Sequence, residues 1–198
     1  MDTTRPASGR RELTKAQNRE TILVAARQVF AQLGFAAATV RDVIRATPLA
    51  SGTFYNYFKS KEEVYQALRD EMALAVRPQL REARSSAATA EEFLAASFRA
   101  FFQFVAQNRS EAESPPPGVR LRMDSPEVLA GFDELREDIT AAMARGVLPA
   151  TDVPALSAAL AGVAFELAER IKAGAGVEET TAFATALFLG GLAALPRR

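Results

Sequence analysis

The sequence predicts an all-α protein of about nine helices. Almost every segment of the 198 residues carries apolar side chains at intervals of three or four, and no segment alternates over the length of a strand. Signals for helix starts and ends recur along the chain at fixed offsets. They predict a flexible N-terminal arm over 1–13, a three-helix helix-turn-helix head over 14–60 and a larger helical bundle over 61–198.

The first two helices of the head are predicted from their ends. The first should begin at Thr14, which has a capping-box pattern, and should end at Gly34, because glycine favours the end of a helix. The second should begin at Thr39, capped with the help of Asp42, and should end before Pro48, because the residue preceding proline is disfavoured in a helix.

The third helix is predicted over 51–58, so that only a tight turn separates it from the second. The fourth begins at Ser60, in a capping box with Glu63, and runs to about Arg84 with a bend near Pro78. After it, helices are predicted at about 91–108, 126–146, 153–173 and 178–195. The irregular connection over 109–126 has room for one more short helical turn.

Composition excludes most catalytic chemistry. The chain has no Cys and no His, so thiol nucleophiles, Ser-His-Asp triads and N/S zinc sites are impossible. Carboxylate chemistry is the one enzymatic alternative, and no spacing supports it. We therefore expect neither an enzyme, nor a cofactor, nor a metal site.

Charge is distributed unevenly along the chain. The 24 basic and 24 acidic side chains cancel, but residues 1–60 hold 9 basic and 4 acidic ones, against 15 and 20 in the remainder. A basic head fits nucleic-acid contact at one end, while segregated surface charge is the alternative. The first residues lack a signal-peptide pattern and the apolar stretch 182–195 is too short to span a membrane, so a cytoplasmic protein is expected.

The third helix exposes an unusual set of side chains. Phe54 and Phe58 lie about 40° apart on a helical wheel and should be buried. The outward and flanking positions then hold small, polar and phenolic groups, namely Gly52, Thr53, Asn56, Tyr55 and Tyr57. Such a surface suits a recognition helix in a major groove, with Thr39, Arg41 and Lys61 placed to hold the DNA backbone. On spacing alone, a helix that merely completes a three-helix bundle is equally acceptable.

The residues of this head resemble a known family. The stretch 19–43 and the run GTFYNYFKSKEE over 52–63 look like the N-terminal domain of TetR-type regulators, over about 50 contiguous residues without a gap. By that resemblance the DNA contacts fall on Thr39, Arg41, Ser51, Gly52, Thr53, Tyr55, Tyr57 and Lys61. Two residues depart from the family pattern, Pro48 in place of a turn glycine and Ala50 in place of a capping serine. We expect Ser51 to take over the cap.

The helix over 91–108 is apolar nearly all round, so it should be central. It is either simply buried or, as in similar TetR-type regulators, contributes rings to a ligand cavity. The candidate lining residues are Phe98, Phe101, Phe102, Arg122, Phe132 and Phe165. Arg122 would suit an acidic ligand, although a solvated arginine is the simpler interpretation.

The last two predicted helices favour a homodimer. The final helix is apolar around its circumference and contains Gly190 and Gly191, and the preceding one places Phe165 on its polar face. In the family that the chain resembles, these two helices form a four-helix dimer interface. Two recognition helices about 34 Å apart would read a palindrome. The resemblance thus implies a repressor that a small apolar or amphipathic effector releases from its operator, and a ligand-independent or architectural DNA-binding protein is the alternative.

Overall fold

The computed structural model describes residues 7–109 and 125–194. Within these ranges the chain contains helices and no strand, which confirms the all-α prediction. Eight helices are present there, where about nine were expected: α1 (Ala7–Ala37), α2 (Val40–Arg45), α3 (Ser51–Tyr55), α4 (Lys61–Ser85), α5 (Ala90–Gln107), α6 (Pro126–Ala144), α7 (Val153–Lys172) and α8 (Val177–Ala194).

Helix α1 begins seven residues earlier than predicted, at Ala7 instead of Thr14. Residues 7–13, expected to belong to a flexible arm, are therefore helical. The capping pattern at Thr14 is overridden because the residues just before it, such as Arg11, Glu12 and Leu13, are good helix formers. At Gly34 the backbone leaves the helical conformation with φ +72°, as predicted, and one further turn leads to Ala37.

Contacts divide the chain into two compact units, with the division inside α4 between Arg69 and Asp70. The first unit has its own core, in which aromatic rings of α1 and α4 meet. The rings of Phe30 and Phe35 lie 5.3 Å apart, and that of Phe35 lies 4.9 Å from Tyr65. The first two turns of α4 pack into this core, whereas the sequence predicted a boundary where α4 begins.

Helix α5 is the centre of the second unit, as its apolar circumference predicted. It packs against both α7 and α8, and α6 packs against α7. Its buried side chains are Phe93, Leu94, Phe98, Phe102, Phe104 and Val105. In the parts of the chain that the structure describes, no helix is both long enough and apolar enough to cross a membrane.

Candidate functional site

Helix α2 is held at its start by a reciprocal cap. The Thr39 hydroxyl accepts from the Asp42 backbone N–H at 3.3 Å, and the Asp42 carboxylate accepts from both the hydroxyl and the backbone N–H of Thr39, at 2.6 and 2.9 Å. These hydrogen bonds, led by the side-chain one, lower the pKa of Asp42. The predicted cap is confirmed, and the Thr39 hydroxyl proton is already engaged within the chain.

The turn between α2 and α3 is closed by Thr47. Its hydroxyl donates to the Ile44 carbonyl at 2.9 Å and accepts from the Leu49 N–H at 3.2 Å. No residue from 46 to 50 has a positive φ. This turn therefore has no conformational need for glycine, and Pro48, whose ring fixes a negative φ, fits where the family usually has glycine.

The cap of α3 differs from the prediction. Ala50 occupies the N-cap position with no side-chain hydrogen bond, and Ser51 is the first helical residue and does not replace the cap. The helix also ends at Tyr55 instead of Phe58. Backbone N–H groups of Tyr57 and Phe58 both donate to the Phe54 carbonyl, at 2.9 and 3.0 Å, and this turn still carries Phe58 inward.

The two predicted anchors of α3 are buried, with 1% of Phe54 and 6% of Phe58 exposed. The residues predicted to contact DNA, apart from Lys61, lie at the surface of the head. Thr39, Arg41, Ser51, Gly52 and Tyr55 are exposed, and Thr53 and Tyr57 are half-buried. A short helix with two apolar anchors thus presents the polar surface that its spacing predicted.

Lys61 is the exception among the predicted contacts. Its ammonium donates to the backbone carbonyls of Phe35, Ala36 and Ala38 at 2.8, 3.3 and 2.9 Å. It also lies 4.6 Å from the centroid of the Phe35 ring. All three donors of the ammonium are used, so Lys61 joins the start of α4 to the end of α1 and has no donor left for a phosphate.

Five of the six predicted ligand-lining residues form one continuous aromatic series. From α5 through α7 to α6, the ring centroids lie 5.8 Å apart for Phe98–Phe102, 6.1 Å for Phe101–Phe102, 5.6 Å for Phe101–Phe165 and 6.2 Å for Phe132–Phe165. Phe188 of α8, which sequence reasoning did not single out, extends the series at 5.7 Å from Phe98. We call these six rings the aromatic series. The sixth predicted residue, Arg122, lies outside the described residues.

Sequence reasoning also missed an ionic contact between α4 and α6. Arg77 makes a two-point contact with the Glu134 carboxylate, in which its Nε donates at 2.9 Å. This hydrogen bonding lowers the pKa of Glu134. Arg81 lies 4.0 Å from the same carboxylate and 3.8 Å from that of Glu137. Arginines at spacing three to four on one helix, facing acids at the same spacing on another, were the available signal.

A second ion pair in this contact is nearly buried. Arg84 is 4% exposed, and its Nε lies 3.3 Å from Oδ2 of Asp138 while donating to the Leu80 carbonyl at 2.9 Å. Burial lowers the pKa of Arg84 and raises that of Asp138, because both charges lose hydration.

Comparisons with known proteins agree with this geometry. Residues 22–68 match the model of the family described as bacterial regulatory proteins, tetR family. The fatty acid degradation regulator FadR from Bacillus halodurans is 24% identical, with 91% of this chain and 97% of that chain covered and a TM-score of 0.66. The transcriptional regulator FadR from Bacillus subtilis, solved in complex with stearoyl-CoA, is 23% identical, with 87% and 98% covered and a TM-score of 0.69. A TetR-family regulator from Pectobacterium atrosepticum is 22% identical, with 93% and 98% covered and a TM-score of 0.67.

An N-terminal helix-turn-helix head, followed by a larger all-helical unit, defines the class of DNA-binding transcriptional regulators to which this fold corresponds. The matched residues 22–68 form a DNA-binding head of the tetR family of bacterial regulatory proteins. Nearly the whole chain shares the fold of the TetR-family regulators with which it was compared.

Proposed function

We propose that the protein is a repressor that binds a palindromic operator as a homodimer and is released by a small apolar or amphipathic effector. Its DNA contacts in this proposal are Arg41, Ser51, Gly52, Thr53, Tyr55 and Tyr57. Thr39 caps α2 and is withdrawn, because its hydroxyl and its backbone N–H both donate to Asp42. Lys61 holds the head together and is withdrawn from the list of phosphate contacts, because its donors are used within the chain.

The observation that carries the DNA-reading half is the empty space at Gly52. Its φ lies outside the left-handed region, and a Cβ added there would meet no atom within 4 Å. Neither backbone conformation nor packing inside the chain therefore needs a glycine. Close approach of another molecule to the α3 backbone does need one, and a base-pair edge in the major groove is such a molecule.

The dimer is supported by apolar side chains that the single chain leaves uncovered. On α8, Phe183 is 56% and Leu187 53% exposed, and on α7 Phe165 is 38% exposed. An isologous interface between two copies of this surface would bury them.

The sensing half of the proposal, in which an effector releases the protein from DNA, is supported by the aromatic series and by the likeness to a regulator solved with stearoyl-CoA.

The operator test uses an inverted repeat from the DNA beside the coding region and a scrambled duplex of equal length, with binding measured by fluorescence anisotropy. Gly52→Ala should weaken operator binding about tenfold or more, which is ~1.4 kcal/mol. Its thermal stability should be unchanged or higher, because alanine is the better helix former by up to about 1 kcal/mol. Thr53→Ala and Tyr57→Ala should also weaken binding to the operator.

Gly131→Ala is the matched control, since Gly131 is also helical and also has nothing within 4 Å of its added Cβ. Unchanged operator binding by Gly52→Ala, Thr53→Ala and Tyr57→Ala would refute the assignment of α3 as the recognition helix. Equal affinity for the scrambled duplex would indicate an architectural DNA-binding protein instead. If no effector in a screen changed the affinity of the protein for the operator, the sensing half of the proposal would fail and the DNA-reading half would stand.

A further inference from the structure

Two threonine hydroxyls on α8 are buried without a hydrogen-bond partner. Thr181 is 2% and Thr185 7% exposed, and neither Oγ1 atom forms a hydrogen bond. Buried hydroxyls in native proteins are nearly always paired, because losing water without a replacement costs free energy. The same region satisfies its other buried hydroxyls: Thr180 donates to the Gly176 carbonyl at 2.8 Å and Ser157 to that of Pro154 at 2.9 Å.

The two unpaired hydroxyls lie on the same face of α8 as Phe188, one ring of the aromatic series. Thr181, Thr185 and Phe188 follow one another at intervals of four and three, so they share one face of α8. Phe188 contacts Phe98 of α5, the helix on which α8 packs. Valine has the shape of threonine without the hydroxyl, so packing alone gives no reason for threonine at either position.

The charge of the surroundings limits what these hydroxyls can meet. In the described parts of the chain Arg84 is the only charged residue that is buried, and it is paired with Asp138 in the contact between α4 and α6. The Arg99–Glu178 ion pair, which links α5 to the first turn of α8, has side chains 44% and 67% exposed. Among the described residues, a buried anionic or cationic ligand group would thus find no unpaired buried counter-charge.

We infer that Thr181 and Thr185 are the hydrogen-bonding part of the effector site and take an uncharged carbonyl or hydroxyl group on an otherwise apolar ligand. The inference rests on the sensing half of the proposed function. A hydroxyl can donate to a carbonyl oxygen and accept from an alcohol, and both groups enter an apolar site at far lower cost than an ion. The aromatic series supplies the apolar contact for the rest of the ligand.

The test measures binding of three probes with the same chain length, 1-octanol, octanoate and octylammonium, to the full-length protein by titration calorimetry. The wild type should bind 1-octanol about tenfold or more tightly than either ion. In Thr181→Val/Thr185→Val the affinity for 1-octanol should fall about tenfold, the equivalent of one hydrogen bond. Thr180→Val, the adjacent buried threonine whose hydroxyl is already paired, should bind 1-octanol as the wild type does.

Thermal unfolding without ligand gives a second readout. The double valine variant should melt at or above the wild-type Tm, because it loses two unpaired hydroxyls and no hydrogen bond, whereas Thr180→Val should melt lower. Undiminished 1-octanol binding by the double variant, a wild-type preference for either ion, no binding of any probe, or a lower Tm of the double variant would each overturn the inference. Hydroxyl-dependent binding of 1-octanol that leaves the operator complex intact would instead uphold the site and count against effector-controlled release.

Discussion

Two basic residues that the sequence presented as equivalent DNA contacts differ in their surroundings. Arg41 is exposed in the first turn of α2, whereas the Lys61 ammonium is enclosed by three carbonyls and the Phe35 ring. A cation that reaches a phosphate releases counterions and makes binding depend on salt. A cation whose donors are used inside the fold contributes to stability instead.

Arg41→Gln should reduce the slope of log affinity against log salt concentration by about 1.8, the value for one phosphate contact in each half of the dimer. Lys61→Met should leave this slope unchanged and lower the free energy of unfolding by about 1.5–3 kcal/mol, the range for hydrogen bonds to a charged group. Binding is measured by fluorescence anisotropy between 50 and 200 mM salt, roughly the range in which such losses are seen, and unfolding is measured with urea.

Arg136→Gln removes the same charge from α6, where Arg136 is exposed and pairs with Asp133 three residues away. It serves as the control for net charge, and it should leave both the salt slope and the free energy of unfolding nearly unchanged. A shallower salt slope in Lys61→Met with unchanged stability would return Lys61 to the list of phosphate contacts.

Among the helices, α4 and α6 are joined by a group of ion pairs. Glu134 is only 19% exposed and accepts two hydrogen bonds from Arg77, which hold its pKa below the ordinary value of 4.5. A carboxyl whose pKa is lower in the folded state stabilises the fold above the unfolded pKa. This contribution is lost as the pH falls below 4.5 through the folded pKa.

Glu134→Gln should therefore lower the free energy of unfolding by about 1–2 kcal/mol at pH 7, between the values for exposed and buried ion pairs. The difference from the wild type should shrink as the pH is lowered below 4.5, because the wild-type carboxyl then becomes protonated. Urea unfolding at a series of pH values measures this difference in the free energy of unfolding. Glu137→Gln, on the same helix with a side chain 68% exposed, should cost little at any pH. A penalty for Glu134→Gln that stayed constant from pH 7 to pH 3 would contradict the role of the carboxylate charge.

At the scale of the whole molecule, the proposed dimer explains why α8 is apolar on the side turned away from α5. Leu187→Glu should convert the dimer to a monomer, because it would bury a carboxylate in each half of a symmetric interface. Sedimentation velocity measures the change, and operator affinity should fall with it.

Leu74→Glu is the matched control, since Leu74 is a leucine of similar exposure, 46%, on α4. It should leave the sedimentation coefficient unchanged. A dimeric Leu187→Glu variant would place the interface elsewhere on the molecule.

Features encoded within a few residues were predictable from the sequence. The cap formed by Thr39 and Asp42, the break at Gly34 and the inward position of Phe54 and Phe58 each depend on contacts or spacings of at most a few residues. The start of α1 was predicted seven residues too late, because neighbouring helix formers outweighed a local capping pattern.

The tertiary structure decided the partners that lie far apart in the chain. Lys61 meets carbonyls 23 to 26 residues earlier, and Arg77 meets an acid 57 residues later. The aromatic series likewise draws Phe101, Phe132 and Phe165 from three different helices. Periodicity identifies which side chains leave the solvent, but it carries no information about which helix each of them will face.

The sequence by itself thus determined the helical class, the helix-turn-helix head and the residues of α3 that this head leaves at its surface. These follow from backbone propensity, capping and side-chain period, which act over one or two helical turns. Only the tertiary structure separated Lys61 from the surface contacts and brought the rings of α5, α6, α7 and α8 into one series. It also left two hydroxyls of α8 unpaired. Packing chooses partners by shape and charge across the fold, and that choice is made when the helices assemble.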